Sequence, residues 1–184
     1  FVRRRQRQMC IRDRYKVVDS EKPSIRLIGS GAILRESIKA NEILSKYKIH
    51  SEVWSVTSFN LLRKDGMETE RFNQLNPDKE KDAYVEECFD NKDIPVVAST
   101  DYMRAYAEQI RPYIKGEYSV LGTDGYGRSD SREMLRDFFE INSNNIVRVS
   151  AYSLYKNKVI DKKLLTKIYS DMGVDPSKPN PWEI

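Results

Sequence analysis

Hydrophobic and polar positions along this chain form two kinds of pattern. Short runs rich in β-branched and aromatic residues predict strands, and between most of them apolar residues recur every three or four positions, as is typical of helices. The predicted strands cover residues 15–19, 24–28, 50–56, 94–98 and 117–121. Strands that alternate with helices in this way indicate an α/β domain with a mostly parallel sheet.

The predicted helices differ in how clearly they begin. Ser99, Thr100 and Asp101 are typical N-cap residues and predict a helix start. Asp130, with Glu133 three positions later, predicts a capping box. Residues 57–77 are polar and predict only short helical patches. The stripes expected to face the core are Ile33, Ala40, Ile43, Leu44 and Tyr47; Met103, Tyr106, Ala107 and Ile110; Leu135, Phe138 and Phe139; Val147, Ser150, Ala151 and Leu154; Leu164, Leu165 and Ile168.

The spacing of the first two strands determines the direction of the first. Only residues 20–23 lie between them, and a parallel crossover needs about a dozen residues or more. The first strand must therefore run antiparallel, either in a hairpin with the second strand or beside another strand. We expect five strands, with the first antiparallel to the other four.

Composition excludes several classes of protein. The 184 residues, 39% hydrophobic and 33% charged, suit one soluble domain. No run of 18 apolar residues occurs, so we expect no membrane partner. Cys10, Cys88 and His50 are the only cysteines and the only histidine, too few for a disulfide scaffold or a multi-histidine metal site.

The net charge of +4 lies almost entirely at the start of the chain. Residues 1–14 carry six arginines and one aspartate, so the remainder has a net charge of −1. A body without a basic stripe argues against a nucleic-acid partner. Residues 1–14 also lack periodicity, and we interpret them as a non-native or disordered segment before a domain at 15–184. This leaves Cys88 as a lone thiol, which suits a reducing cytoplasm.

Two glycine-containing segments could carry chemistry. Gly29-Ser30-Gly31 follows a strand and opens a helix, as in a dinucleotide fingerprint, but Leu34 replaces the third glycine and no acid ends the next strand. A nucleotide site and a tight turn both remain open here. The loop 122–130 combines three glycines with acids and Arg128, and is either a long turn into a helix or a contact to another domain.

Polar residues are also expected at the carboxyl ends of the parallel strands, which share one edge of the sheet. This predicted rim has no activated nucleophile, base or metal cluster, so we assign no catalytic, cofactor-binding or metal residue. We expect His50 and Cys88 to be structural, Tyr106 to lie in the core, and Tyr102 and Tyr113 to serve a contact surface. The candidates for an interface or an active-site rim are Thr57, Ser58, Thr100, Asp101, Asp124, Gly125, Gly127, Arg128 and Asp130.

Four blocks of the sequence resemble one known family. They are LIGSGAILRE (27–36), VWSVTSFNLLRKDG (53–66), VVASTDYMRAYAEQIRPYI (96–114) and GTDGYGRSDSREMLRDFFEI (122–141). All four are similar to the C-terminal domain of the homodimeric, bacterial-type first component of pyruvate dehydrogenase. The wider resemblance is to the transketolase C-terminal domain superfamily, and the similarity begins near Tyr15.

The resemblance implies a three-layer α/β/α fold with a five-stranded mixed sheet. It also implies a full-length cytoplasmic homodimer that uses thiamine diphosphate and magnesium, decarboxylates pyruvate and acetylates the lipoyl group of the dihydrolipoyl acyltransferase component. In the family the cofactor lies between two other domains, so none is expected to bind to this chain. The chain would then be an inactive fragment that serves dimer contact and the active-site entrance. A domain of a transketolase or another 2-oxo-acid dehydrogenase, and a non-catalytic interaction module, are the alternatives.

Overall fold

The computed structural model describes residues 14–89 and 93–183. In this part of the chain five strands form one sheet in the order β1-β3-β2-β4-β5. Every strand predicted from the sequence is present, with ends shifted by one or two residues, as is usual for element boundaries. The strands are β1 (Arg14–Val18), β2 (Ile25–Gly29), β3 (Ser51–Val56), β4 (Val96–Ser99) and β5 (Tyr118–Leu121).

The first strand is antiparallel, as its short connection to the second predicted. β1 pairs antiparallel with β3, whereas β3, β2, β4 and β5 are mutually parallel. The hairpin alternative is wrong, because β3 and β4 occupy both edges of β2. Arg14 belongs to β1 and lies opposite Val56, so the domain includes the residue before the boundary expected at 15. Of the segment 1–14 interpreted as non-native or disordered, residues 1–13 lie outside the described residues, as does Cys10.

Helices cover both faces of the sheet, which confirms the three-layer α/β/α fold. α1, α5, α6 and α7 cover one face, around a core that includes Leu27, Val53 and Ala151. α2, α3 and α4 cover the other, around Ile28, Val56 and Ala107. The helices are α1 (Leu34–Lys46), α2 (Phe59–Leu75), α3 (Tyr84–Cys88), α4 (Arg104–Glu108), α5 (Arg132–Phe138), α6 (Ser143–Lys156) and α7 (Lys162–Asp171).

The expectation of short helical patches after β3 is wrong, because α2 is one continuous helix of 17 residues. Its buried positions include Gly66 and Thr69, residue types that add little to an apolar stripe. Gly66 allows a close approach: a Cβ there would lie 2.2 Å from Cζ of Tyr113. Tyr113 is therefore buried, and the prediction that it serves a contact surface is wrong.

A buried carboxylate positions the segment that follows β5. Glu36 on α1 accepts hydrogen bonds from Nη1 of Arg136 at 3.0 Å and from the backbone amide of Ser143 at 3.1 Å. The second contact places a negative charge at the N-terminus of α6, where the helix dipole favours it. Glu36 thereby joins α1 to α5 and α6.

Candidate functional site

The four parallel strands end along one side of the sheet, which we call the carboxyl edge. The register pairs Gly29 with Ser55 and with Ser99, and Ser99 with Leu121. Polar side chains follow each strand there, as the sequence predicted. These residues, the polar rim, are Ser30, Thr57, Ser58, Thr100, Asp101, Thr123 and Asp124. Their position is established by the register, and their part in binding stays a prediction.

Hydrogen bonds to backbone carbonyls hold the ends of β4 and β5 together. The amide of Thr100 donates to the carbonyl of Leu121 at 3.0 Å, and the hydroxyl of Thr123 donates to the carbonyl of Asp101 at 2.8 Å. The amide of Thr123 also donates to the carbonyl of Tyr102 at 2.9 Å. These hydrogen bonds fix the backbone in this half of the rim.

The glycine turn after β2 fits tight packing better than nucleotide binding. A Cβ on Gly29 would lie 2.5 Å from the Cα of Leu34, so the strand-to-helix turn requires glycine there. Gly31 has a φ of 56°, and a Cβ on it would lie 3.3 Å from the carboxylate of Asp101. An acidic side chain beside this turn disfavours a phosphate group, because like charges repel.

At the end of β3, one of the two rim residues has a structural role. The Ser58 hydroxyl accepts a hydrogen bond from the amide of Leu61 at 3.3 Å and so caps α2. Thr57, one residue earlier, is exposed. Of this pair, Thr57 is the side chain that faces solvent at the carboxyl edge.

The prediction that Thr100 and Asp101 begin a helix is wrong. α4 begins at Arg104, and Met103 occupies its N-cap position without a side-chain cap. The acceptor comes from the next loop instead: Oδ1 of Asp124 accepts the amide of Arg104 at 2.9 Å, and Oδ2 lies 3.4 Å from its Nε. The expectation that Tyr106 lies in the core is also wrong, because this α4 residue is 39% exposed.

The glycine-rich loop projects from the carboxyl edge. Gly125 has a φ of 97°, a left-handed conformation that favours glycine. Tyr126 is 95% exposed, and a Cβ on Gly127 would meet no atom within 4 Å. Gly127 therefore has no steric need for glycine within the described residues, and its place in an interface stays a prediction.

One expectation at the end of this loop, that Asp130 caps the following helix, is corrected. Ser131, not Asp130, caps α5, because the Ser131 hydroxyl accepts the amide of Met134 at 3.3 Å. Asp130 accepts the amide of Ser131 at 2.6 Å, so it stabilises the preceding turn and forms no capping box. The guanidinium carbon of Arg128 lies 4.4 Å from the ring centre of Phe138, so Arg128 packs locally against α5.

The titratable groups that sequence analysis singled out lie apart from one another. Within residues 14–89 and 93–183, no three His, Cys, Asp or Glu side chains are grouped to hold a metal ion. Burial raises the pKa of Tyr118, but its hydroxyl donates to the carbonyl of Ala107 at 2.8 Å, within the core. His50 is exposed, and Cys88 is partly buried against the second core.

Sequence reasoning did not anticipate a cleft of about 770 Å³ beside α6. It lies between the end of β5, α7 and the C-terminal tail. Each cation that lines it already contacts a carboxylate: Arg104 with Asp124, Arg148 with Glu140, and Lys178 with Asp137. The Arg104–Asp124 and Lys178–Asp137 contacts join positions 20 and 41 residues apart, so no local pattern in the sequence could have indicated them.

The fold and the carboxyl edge together define the class of this domain. The sequence profile of the transketolase-like TK C-terminal domain family matches residues 14–142. This range is more than half of the chain, so the chain belongs to that family. No described helix has the length and apolar character that a membrane span requires.

Curated relatives give a more particular similarity. The pyruvate dehydrogenase E1 component of Pseudomonas aeruginosa is 48% identical over 162 residues, covering 86% of this chain and 18% of that protein. The protein of the same name in Escherichia coli (strain K12) is 43% identical over 169 residues, covering 90% and 19%. The chain thus spans about a fifth of the length of the curated relatives it matches.

A solved structure supports the fold alone. Transketolase from Leishmania mexicana matches with a TM-score of 0.56 and 19% identity, over 94% of this chain and 20% of that chain. At this low identity the match supports the fold and leaves the substrate undecided.

Proposed function

We propose that this chain is the C-terminal domain of a pyruvate dehydrogenase first component, the thiamine-diphosphate-dependent subunit of the complex. The observation that carries the proposal is the 48% identity over 162 residues to the Pseudomonas aeruginosa protein. The similarity to transketolase structures is much lower, at 19% identity. A transketolase domain is therefore the less favoured alternative.

In this proposal the complete subunit decarboxylates pyruvate and reductively acetylates the lipoyl group of the dihydrolipoyl acyltransferase component. Bound thiamine diphosphate, with magnesium, supplies the carbanion chemistry. The described residues of this chain do not fit that cofactor, since they offer no metal-ligating cluster and place Asp101 beside the glycine turn. We therefore assign the cofactor site to other parts of the subunit and derive no catalytic step from this domain.

The role proposed for this domain is contact within a cytoplasmic homodimer that acts on pyruvate from glycolysis. The exposed part of the polar rim and the loop from Gly125 to Asp130 are the proposed contact and entrance residues. Arg128 remains among them, since a guanidinium stacked on one ring can still donate hydrogen bonds at its edge. Asp130 remains because its side chain is exposed.

Activity measurements on two forms of the protein test this proposal. The full-length subunit should release carbon dioxide from pyruvate in the presence of thiamine diphosphate, magnesium and an artificial electron acceptor. The purified 184-residue chain should show no release above background under the same conditions. Turnover by the short chain, or no pyruvate reaction in the full-length subunit, would contradict the proposal.

A substrate comparison separates the alternative. The same full-length preparation is tested for ketol transfer from a ketose phosphate to an aldose phosphate, the transketolase reaction. We expect the pyruvate reaction alone. Ketol transfer without a pyruvate reaction would identify the chain as a transketolase domain.

A further inference from the structure

Three exposed apolar side chains lie together beside the polar rim. Tyr102, Met103 and Tyr106 are 66%, 51% and 39% exposed, and the two tyrosine rings contact edge to face with centres 5.7 Å apart. We call these three residues the tyrosine surface. Tyrosine and methionine are enriched in the buried centres of protein interfaces, and contiguous exposed apolar residues mark interaction sites.

The backbone under the tyrosine surface is held in place before any partner binds. The amide of Tyr102 donates to the hydroxyl of Thr100 at 3.2 Å, and its carbonyl accepts the amide of Thr123 at 2.9 Å. A Cβ on Gly122 would lie 2.7 Å from that carbonyl, so the next loop packs directly against it. A surface ordered in advance loses little conformational entropy when it is covered.

The position of β1 indicates what could cover this surface. Because β1 is antiparallel, its first residue lies at the end of the sheet where the parallel strands finish: Arg14 is opposite Val56. Polypeptide that precedes β1 therefore joins the domain at the carboxyl edge. β3 and β2 lie between β1 and β4. At the usual strand spacing, β1 and β4 are therefore about 15 Å apart. Tyr102 follows β4 by three residues.

The relatives show that much more polypeptide exists in proteins of this kind, since the chain covers only 18–19% of their length. We propose that the tyrosine surface docks the domain that precedes this one in the same polypeptide. The inference rests on the proposed function, which makes this chain the C-terminal part of a longer subunit. A domain tethered at the same edge has a high effective concentration at the surface. Its docking face should be apolar and should carry acceptors for the two phenol hydroxyls.

Tyrosine nitration of the full-length subunit measures whether the surface is covered. Tyr152 and Tyr155 on α6 are matched controls, because they are 54% and 37% exposed in the domain. We expect Tyr102 and Tyr106 to react about tenfold more slowly than this pair, since interface centres exclude solvent. Equal rates for the two pairs, whether fast or slow, would overturn the proposal.

Dilution separates the preceding domain from a second copy of the subunit. Protection of Tyr102 and Tyr106 should persist at concentrations where the homodimer has dissociated, because docking within one polypeptide is independent of concentration. Loss of protection on dissociation would assign the surface to the second copy and overturn the proposal. Pyruvate turnover is measured on the same sample, so a failure of the proposed function is seen independently of the nitration result.

Paired variants of the full-length subunit give a second measurement. Tyr102→Ser with Tyr106→Ser should make limited proteolysis release this domain several-fold faster. Tyr152→Ser with Tyr155→Ser, which removes two tyrosines of similar exposure, should leave the release rate unchanged. Equal release rates for the two double variants would contradict the docking role.

Discussion

Two neighbouring side chains at the start of α5 have different roles. The Ser131 hydroxyl accepts the amide of Met134, three residues ahead, whereas the Asp130 carboxylate accepts the amide of Ser131 itself. A cap stabilises a helix because first-turn amides have no partner within the helix. Ser131 therefore stabilises α5 directly, and Asp130 stabilises the turn before it.

We expect Ser131→Ala to lower the free energy of unfolding by roughly 0.5–1 kcal/mol, the lower range for loss of an N-cap. Asp130→Ala should lower the free energy of unfolding by less, because no amide of α5 loses its hydrogen-bond acceptor. Urea denaturation of both variants, with an unchanged slope against denaturant, measures the difference. A greater loss of stability for Asp130→Ala than for Ser131→Ala would show that Asp130 is the N-cap of α5.

At the scale of elements, a buried ion pair joins β2 to β3. Arg26 and Glu52 are each 2% exposed, form a salt bridge and lie opposite each other in the register. Lys16 on β1 lies 3.3 Å from the same carboxylate, and the Arg26 guanidinium lies 4.9 Å from the ring centre of Phe89. A shift of one residue between these strands would leave two buried charges without partners, so the pair favours a single register.

Removal of one partner from this pair should be costly. We expect Glu52→Gln to lower the free energy of unfolding by about 3–5 kcal/mol, the range for a buried charge that has lost its counter-ion. The matched control is Glu68→Gln on α2, where the Lys64–Glu68 pair is exposed and should contribute less than about 0.5 kcal/mol. Chemical denaturation of both variants tests this, and similar losses would show that the buried pair has no special role.

At the scale of the whole molecule, β1 is the point where the domain meets preceding polypeptide. Among the described strands it occupies an edge of the sheet and pairs only with β3. Lys16 and Val18 nevertheless contribute side chains to the ion-pair network and to the first core. The domain should therefore need β1 for stability even though β1 lies at its margin.

We expect deletion of residues 1–13 from the 184-residue chain to change the melting temperature by no more than about 2 °C, since they lack hydrophobic periodicity and precede the family match at 14. Deletion of residues 1–18, which also removes β1, is the control and should lower it by roughly 5 °C or more. Differential scanning calorimetry compares the two. A similar loss in both variants would show that residues before β1 are part of the folded domain.

Local sequence patterns were sufficient for much of the fold. β-branched runs located the strands, and the short 20–23 connection required an antiparallel first strand. The same patterns failed at α2, where Gly66 and Thr69 occupy buried positions without an apolar signal. They also failed at Tyr106, which is exposed on α4, and at Tyr113, whose ring is buried against Gly66 of α2.

The sequence predicted which residues follow the strands at the carboxyl edge, but it did not predict their local contacts. The carboxyl edge followed from strand direction, so the rim residues could be named before their contacts were known. The amide of Arg104 finds its acceptor on Asp124, 20 residues away in the sequence. The guanidinium of Arg128 packs on the ring of Phe138, 10 residues away. No periodicity or capping rule relates such positions, because the contacts arise only when separate elements pack.

By itself the sequence determined the alternation of strands and helices, the direction of β1, and, through its similarity to known proteins, the family. These properties depend on residue spacing within single segments, which short-range sterics and burial govern. The tertiary structure alone decided that β1 pairs with β3, that Arg26 and Glu52 neutralise each other, and that Tyr102 and Tyr106 remain exposed beside the polar rim. Each of these depends on which elements become neighbours, and that choice is made by packing over the whole domain.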